Sequence, residues 1–313
     1  MVDSTISRRG MAGLAAVLLA PPAFARDPNV SQVSSSEPLK YLDGARRLTV
    51  KVMLNGQGPF NLMVDTGANS SVISSEVADS LGLKRAGQVE LHGIAGVQMV
   101  DTVRIDSLRV GQKVNRQMTL SVLPGNNLGA AGLLGLDWLG SNSLMLDYGG
   151  RRMQVGAALP LPDERTIIVK ARTRRSGLTL IDAHIPGQML KAFLDSGSTT
   201  TVGNLALLKA ARERNVIQGD VIDVELRSVT GQTLPGRIAV LKTLTLGKMV
   251  LRNVPLVTGP VHTFEYWGMQ DDPAMLIGSD VLQQFEHVAL DFKRGEVRFR
   301  IADRRGSMPG SRL

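Results

Sequence analysis

The chain has no cysteine among its 313 residues. Disulfides, thiolate nucleophiles and cysteine-held metals are thereby excluded, and cysteine usage leaves the redox compartment undetermined. Aromatic residues make up only 4% of the chain, and the formal net charge of +8 is spread over short pairs such as Arg46-Arg47, Lys84-Arg85, Arg151-Arg152 and Arg174-Arg175. A nucleic-acid footprint gathers its charge on one face and interleaves it with aromatics, so nucleic acid is not an expected partner. The four histidines, His92, His184, His262 and His287, show no His-x-x-x-His or His-Glu-x-x-His spacing. No metal site is expected, and each histidine reads as a surface or packing residue. Gly-x-Ser-x-Gly and a Walker-type phosphate loop are missing as well, which disfavours a serine hydrolase or a nucleotide enzyme, and no cofactor is expected. Every uncharged apolar run is shorter than the roughly 20 residues a bilayer demands, so stable membrane insertion is not expected.

What is present suits a globular protein: 43% hydrophobic and 20% charged residues are ordinary proportions, and the length allows one large or two medium domains. Residues 1–25 read as an export signal. Ser7-Arg8-Arg9-Gly10-Met11 precedes an uncharged stretch closed by Ala23-Phe24-Ala25, a small-x-small cleavage site, so maturation is expected near Arg26. Paired arginines before a mildly apolar, alanine-rich segment resemble the twin-arginine signal, which implies a periplasmic or secreted destination. An ordinary secretory signal or an uncleaved anchor is the alternative. Residues 26–45, rich in Ser, Asn, Gln and Pro, read as a flexible lead-in, and 304–313 as a tail.

The rest of the chain repeats itself. Residues 60–67 read FNLMVDTG and residues 191–197 read KAFLDSG, so Asp65 and Asp195, 130 residues apart, each end an apolar strand pattern and begin an Asp-Thr/Ser-Gly turn. LNGQ at 54–57 and IPGQ at 185–188 mark matching hairpin turns before them. LRVGQKV at 108–114 matches LTLGKMV at 244–250, LLGLDWL at 133–139 matches LIGSDVL at 276–282, and LDYGGRRM at 146–153 matches LDFKRGEV at 290–297. Four flanking matches, in one order around the two acidic turns, establish an internal duplication, with halves at 46–160 and 161–303 meeting where LPLPDE at 159–164 breaks the strand pattern. Val, Leu and Thr between Gly, Pro and Asn punctuation predict a mainly β fold with a few short helices. One helix is expected from Ser74 to about Leu81, a second capped by Asn204 and running to about Arg214, and two brief ones starting at Asp137 and Asp280. Asp137, Asp147, Asp280 and Asp291 recur at matched positions and read as capping and turn residues. Residues 261–267, VHTFEYW, form the one aromatic cluster in a segment that lengthens the second half; it reads as local packing, with a substrate-lining role as the alternative.

DTGA at 65–68 followed by GLLGLDWL at 132–139 is similar to retroviral and retrotransposon aspartic proteases, and DSGS at 195–198 followed by Leu276-Ile277-Gly278 resembles the same lobe in a more pepsin-like variant. The resemblance spans about 46–301. It implies two related six-stranded-type barrels, bilobal and pseudo-twofold, and an aspartic endopeptidase acting on an extended polypeptide. Both lobes lie on one chain, so a monomer suffices for a complete site. It implies Asp65 and Asp195 as a catalytic pair sharing one proton, since like charges about 3 Å apart cannot both ionise. Thr66 and Ser196 would cross-link the two loops, and Gly67 and Gly197 would let backbone approach the acids. Gly135 and Gly278 would pack behind the loops as scaffold. Gly93, Ile94, Ala95 and Gly96 in the first half, with Thr230 and Gly231 in the second, are the flap candidates, neither carrying the tyrosine of pepsin-like flaps. Ser198 stands where the first half has Ala68; its hydroxyl is expected to donate to the Asp195 carboxylate and favour the ionised form, making the acids inequivalent, with activity peaking at mildly acidic pH. The competing reading is a catalytically silent peptide-binding protein that keeps the cleft.

Overall fold

A computed structural model of the chain describes residues 39–302, apart from 41, 45–46, 141, 157–158 and 174–177. The export signal at 1–25, residues 26–38 of the lead-in and the tail at 304–313 lie outside the described residues. Within the lead-in, Leu39–Lys40 pairs with Arg152–Gly156, and Leu42–Gly44 pairs with Arg47–Leu54.

The expected mainly β architecture is present in two sheet bodies of matching topology. In the first half the strands lie in the spatial order Arg47–Leu54, Gln57–Val64, Gly132–Leu134, Val72–Ser74, Lys113–Leu123, Gly96–Val110 and Arg85–Gly93. The second half repeats that order with Thr179–Ile185, Gln188–Leu194, Ala274–Ile277, Val202–Gly203, Met249–Thr258, Thr233–Leu246 and Ile217–Arg227. In both halves the first strand of this order also pairs with the sixth, through Val52↔Val110 and Ala183↔Leu246, which curls each sheet onto itself. The turns that open each repeat follow from their residues. Asn55 and Gly56 adopt φ of 49° and 77°, the left-handed pair a tight hairpin needs, and Pro186 precedes Gly187 at φ 73°.

The expected helices form with their expected caps. Ser74 accepts a hydrogen bond from the Val77 amide at the start of Ser75–Ser80, and Asn204 does the same for Leu207 at the start of Leu205–Glu213. Short turns follow Gly135 and Gly278 at Leu136–Trp138 and Ser279–Leu282. Two further short helices, Gly125–Leu128 and His262–Tyr266, occupy matching places after the fifth strand of each order, where no periodic signal announces so short an element.

The duplication did not reveal that the ends of the two halves share a sheet. Ser143–Asp147 of the first half pairs with Phe285–Asp291 of the second, Leu144 opposite Leu290, so one sheet runs in the order Arg152–Gly156, Ser143–Asp147, Phe285–Asp291, Glu296–Ile301 and Thr166–Thr173. Tyr148 and Phe292 touch the cores of both halves there. Buried Arg298 is held by Glu296 at 2.7 Å and lies 3.6 Å from Asp291, so its charge is compensated within this shared sheet. The two halves are therefore coupled mechanically as well as by descent. Leu290→Ala, which opens a void beside Leu144, is expected to lower unfolding free energy by about 2–5 kcal/mol while a single urea transition persists; a loss under about 1 kcal/mol, or two separate transitions, would contradict the shared core.

Candidate active site

Each of Gln57–Val64 and Gln188–Leu194 ends where a parallel neighbour supports it. The Asp65 amide donates to the Leu134 carbonyl at 3.0 Å, and the Asp195 amide donates to the Ile277 carbonyl at 3.0 Å. The strands Gly132–Leu134 and Ala274–Ile277 thus run behind the two acidic turns, as expected of Gly135 and Gly278. A side chain at either glycine would collide with backbone: a Cβ at Gly135 would lie 2.6 Å from the Ser70 carbonyl carbon, and one at Gly278 would lie 2.5 Å from that of Thr200. Only hydrogen fits there.

The two turns interlock. The Thr66 hydroxyl donates to the Leu194 carbonyl at 2.9 Å and accepts from the Ser196 amide at 3.0 Å. In return the Ser196 hydroxyl donates to the Val64 carbonyl at 2.8 Å and accepts from the Thr66 amide at 3.2 Å. All four bonds are buried, so each hydroxyl satisfies two main-chain groups that would otherwise be stranded. Thr66, Gly67, Ser196 and Gly197 are thereby brought together with both acids. A Cβ on Gly67 would sit 2.5 Å from Cγ of Asp195, and one on Gly197 would sit 2.4 Å from Cγ of Asp65. The absent side chains leave the space the opposite carboxyls occupy.

Asp65 and Asp195 are hydrogen-bonded to each other. Within each turn the carboxylate also accepts from the amide two residues on, Gly67 to Asp65 at 2.8 Å and Gly197 to Asp195 at 2.9 Å. Asp195 is almost fully buried. Burial first, then the charge of Asp65 and their mutual hydrogen bond, push the Asp195 carboxyl well above the ordinary carboxylate range, against the opposing pull of the Ser198 and Gly197 amides. The role expected for the Ser198 hydroxyl is corrected here. That hydroxyl donates to the Thr200 carbonyl at 2.8 Å, and it is the Ser198 amide that reaches Asp195, at 2.9 Å. The turn backbone is the nearer acceptor for a side chain this short, and Asp195 is pushed toward its protonated form, not its ionised one.

Asp137 and Asp280 are not the helix caps expected: Gly135 and Gly278 hold the cap positions, without a side-chain cap bond, and the two carboxylates turn to the segments after the acidic turns instead. Asp137 accepts from the Ser71 amide at 3.0 Å and hydroxyl at 2.6 Å, and Asp280 accepts from the Thr201 amide at 3.0 Å and hydroxyl at 2.7 Å. Those hydroxyls in turn accept from the Gly135 and Gly278 amides, each at 3.1 Å. Ser71 and Thr201 both stand six residues after an acid, and that equal offset was the overlooked signal. Asp147 and Asp291 hold their turns as expected, accepting from the amides of Gly150 at 2.7 Å and Arg294 at 3.0 Å, and each also pairs with arginine, Asp147 with Arg152 at 3.1 Å and Asp291 with Arg294 at 3.2 Å.

The flap candidates meet above the acids. Ile94 and Ala95 are the two-residue tip between Arg85–Gly93 and Gly96–Val110, with Gly93 opposite Gly96. Thr230 and Gly231 lie in the tip between Ile217–Arg227 and Thr233–Leu246, where the Thr230 hydroxyl donates to that of Ser228 at 2.9 Å. A Cβ on Gly93 would lie 2.7 Å from the Ser228 hydroxyl oxygen, so the two tips touch. Beneath them a cavity of about 370 Å³ is lined by both acids and Ile94, and by Val202, Leu226 and Leu276 of the second half. The aromatic cluster at 261–267 packs, as expected: Phe264 meets Phe193 at a tilt and Trp267 meets it edge-on, and neither lines this cavity.

Residues 50–141 match the family described as "gag-polyprotein putative aspartyl protease", and residues 181–281 match the family described as "Aspartyl protease". Each match takes in one acidic turn, the strand behind it and one flap candidate. The comparison with curated proteins gave no match.

The raised Asp195 carboxyl has a consequence for stability. A folded state that binds its proton more tightly than the unfolded chain is favoured fully below the unfolded value, 3.8, and loses that advantage as pH rises through the folded value. Asp195→Asn removes this penalty. It is expected to raise the urea midpoint at neutral pH, with the gain shrinking toward about pH 4; a gain that is the same at both pH values would contradict the assignment.

Proposed function

This chain belongs to the retropepsin-like aspartic proteases, with both lobes on one polypeptide, and we propose that it hydrolyses peptide bonds within extended polypeptide segments, with Asp65 and Asp195 as the catalytic pair. The observation that carries this reading is the mutual hydrogen bond of the two acids in a buried site spanned by the Thr66–Ser196 interlock.

Two carboxyls in contact share one proton, and burial and the neighbouring Asp65 push the Asp195 carboxyl upward. The ionised carboxylate takes a proton from a water molecule as the water oxygen bonds to the scissile carbonyl carbon. The protonated carboxyl gives its proton to the carbonyl oxygen, and a neutral gem-diol forms. Collapse reverses the roles: a gem-diol hydroxyl returns its proton to a carboxylate, the amide nitrogen receives one, and the C–N bond breaks. No step needs a nucleophilic side chain or a metal. The four-way interlock keeps both groups in register, so little reorganisation is required when charge moves between them.

An extended substrate is supported by the flaps. Both are β-hairpins whose tips overhang the acids, and a strand laid beneath them gains main-chain hydrogen bonds without regard to sequence. Residues 7–25 support export, which puts the reaction in the periplasm or outside the cell; mass analysis of the exported protein is expected to give a first residue near Arg26, and a product that keeps Met1 would contradict it.

Hydrolysis is tested with an unfolded protein substrate at mildly acidic pH. Wild type is expected to cleave and to be blocked by pepstatin, and Asp65→Asn and Asp195→Asn should each lose at least about 10³-fold in kcat/KM. Equal cleavage by either variant would remove the mechanism. Binding of the substrate with no cleavage at any pH would instead favour the silent peptide binder.

A further inference from the structure

Each flap tip rests on the short helix of the opposite half, but the two contacts differ in chemistry. Under the second flap the helix Gly125–Leu128 offers Asn127, which lies 3.5 Å from the Arg227 guanidinium and against Gly231. The Asn127 amide has no titratable proton of its own. Under the first flap the helix His262–Tyr266 offers a histidine and a tyrosine, and the flap brings a histidine to meet them.

His92, two residues before the tip, is 4% exposed. Its Nδ1 lies 3.0 Å from Nε2 of His262, and its ring stacks on Tyr266 with centroids 3.9 Å apart. The His262 amide donates to the Ile94 carbonyl at 2.9 Å, tying the helix start to the tip itself. Ile94 and Ala95 pack on the aromatic cluster behind. The histidines are 170 residues apart in sequence, so this contact exists only while the flap is down.

We propose that His92 and His262 are positioning residues that clasp the first flap to the second lobe at neutral pH and release it on acidification. An N–H···N bond between two imidazoles needs a bare lone pair on one of them, so it survives one proton on the pair and fails at two. The charged groups facing the pair are Glu90 from the flap strand, 3.9 Å from Nε2 of His92, and Glu265 from the helix, 3.6 Å from Nδ1 of His262. Tyr266 also faces it; burial and Glu90 raise its phenol, which stays neutral throughout. Burial first and the charge of His262 next hold the His92 imidazole below its ordinary value, and Glu90 only partly offsets them. The sign follows. In the open flap His92 is solvated and titrates near 6.5, whereas in the closed flap it titrates lower. Closure is therefore fully favoured above that value and is lost progressively as pH falls below it, by about tenfold for each unit separating open and closed imidazoles. The second flap has no such dependence.

Hydrogen–deuterium exchange on the full chain tests this without turnover, so its outcome is independent of whether peptide hydrolysis is the right activity. Protection of the amides around 91–97, corrected for intrinsic exchange, is compared at about pH 7.5 and about pH 5, either side of the ordinary imidazole value. Wild type is expected to lose about tenfold in protection at the lower pH, while the tip at 228–232 and the core strand Gln188–Leu194 stay unchanged. His262→Phe and His92→Phe keep an aromatic ring but no shared proton, and each should show low flap protection at both pH values with the core strand unaffected. Wild-type protection that ignores pH, or a pH step that survives in either variant with an intact core strand, would overturn the proposal.

Discussion

Two carboxyl groups held in hydrogen-bond contact inside a protein cannot both carry a charge, and the rest of this fold is arranged around keeping them there. Left alone they would repel, and each would gain by turning toward water. The Thr66–Ser196 interlock prevents that by giving four buried main-chain groups partners that exist only when the two turns face one another. Behind it, the parallel strands at Gly132–Leu134 and Ala274–Ile277 hold the amides of Asp65 and Asp195. Behind those, Ser71–Asp137 and Thr201–Asp280 tie the returning segments to the turns they support. The shared sheet at the chain's far side stops the halves from drifting apart. Each layer removes a way for the carboxyls to separate.

Much of this was legible in the sequence, for a physical reason. Strand, turn and cap are local: FNLMVDTG and KAFLDSG show an apolar run ending at an acid, Asn55-Gly56 shows the left-handed pair of a tight turn, and Ser74 and Asn204 show caps. The duplication supplied the long-range part, since two copies of one lobe imply a twofold relation that no single motif carries. What stayed hidden depends on partners set by the fold alone. The shared sheet joins strands whose repeat partners are not their neighbours. His92 and His262 look dispersed because nothing in their spacing records that a flap of one half reaches the other. The Ser198 hydroxyl departs from its expected role because a short side chain chooses among acceptors by ångströms, which composition does not encode.

The twofold relation is broken where function would profit from it. Ile94 overhangs a cavity lined by Val202, Leu226 and Leu276. Their first-half counterparts Val72, Leu91 and Leu133 do not line it, although both trios lie in or against buried clusters with a flap residue, Ile94 or Val229, packed against them. Burial and the neighbouring Asp65 also push the Asp195 carboxyl upward. A duplicated lobe starts symmetric; unequal flap contacts, an unequal cavity and an unequal acid are what divergence of the two copies produced. A single chain permits this, whereas two identical lobes from separate chains would have to change together.

The central claim is that Asp65 raises the carboxyl of Asp195 through direct contact in a buried site. Carbon-13 NMR titration of labelled aspartate carboxyls, in wild type and in Asp65→Asn, measures it directly. The account predicts that Asp195 titrates well above the ordinary aspartate value of about 3.9 and moves down when Asp65 loses its charge. An Asp195 that titrates at the ordinary value, or one indifferent to Asp65→Asn, would contradict it.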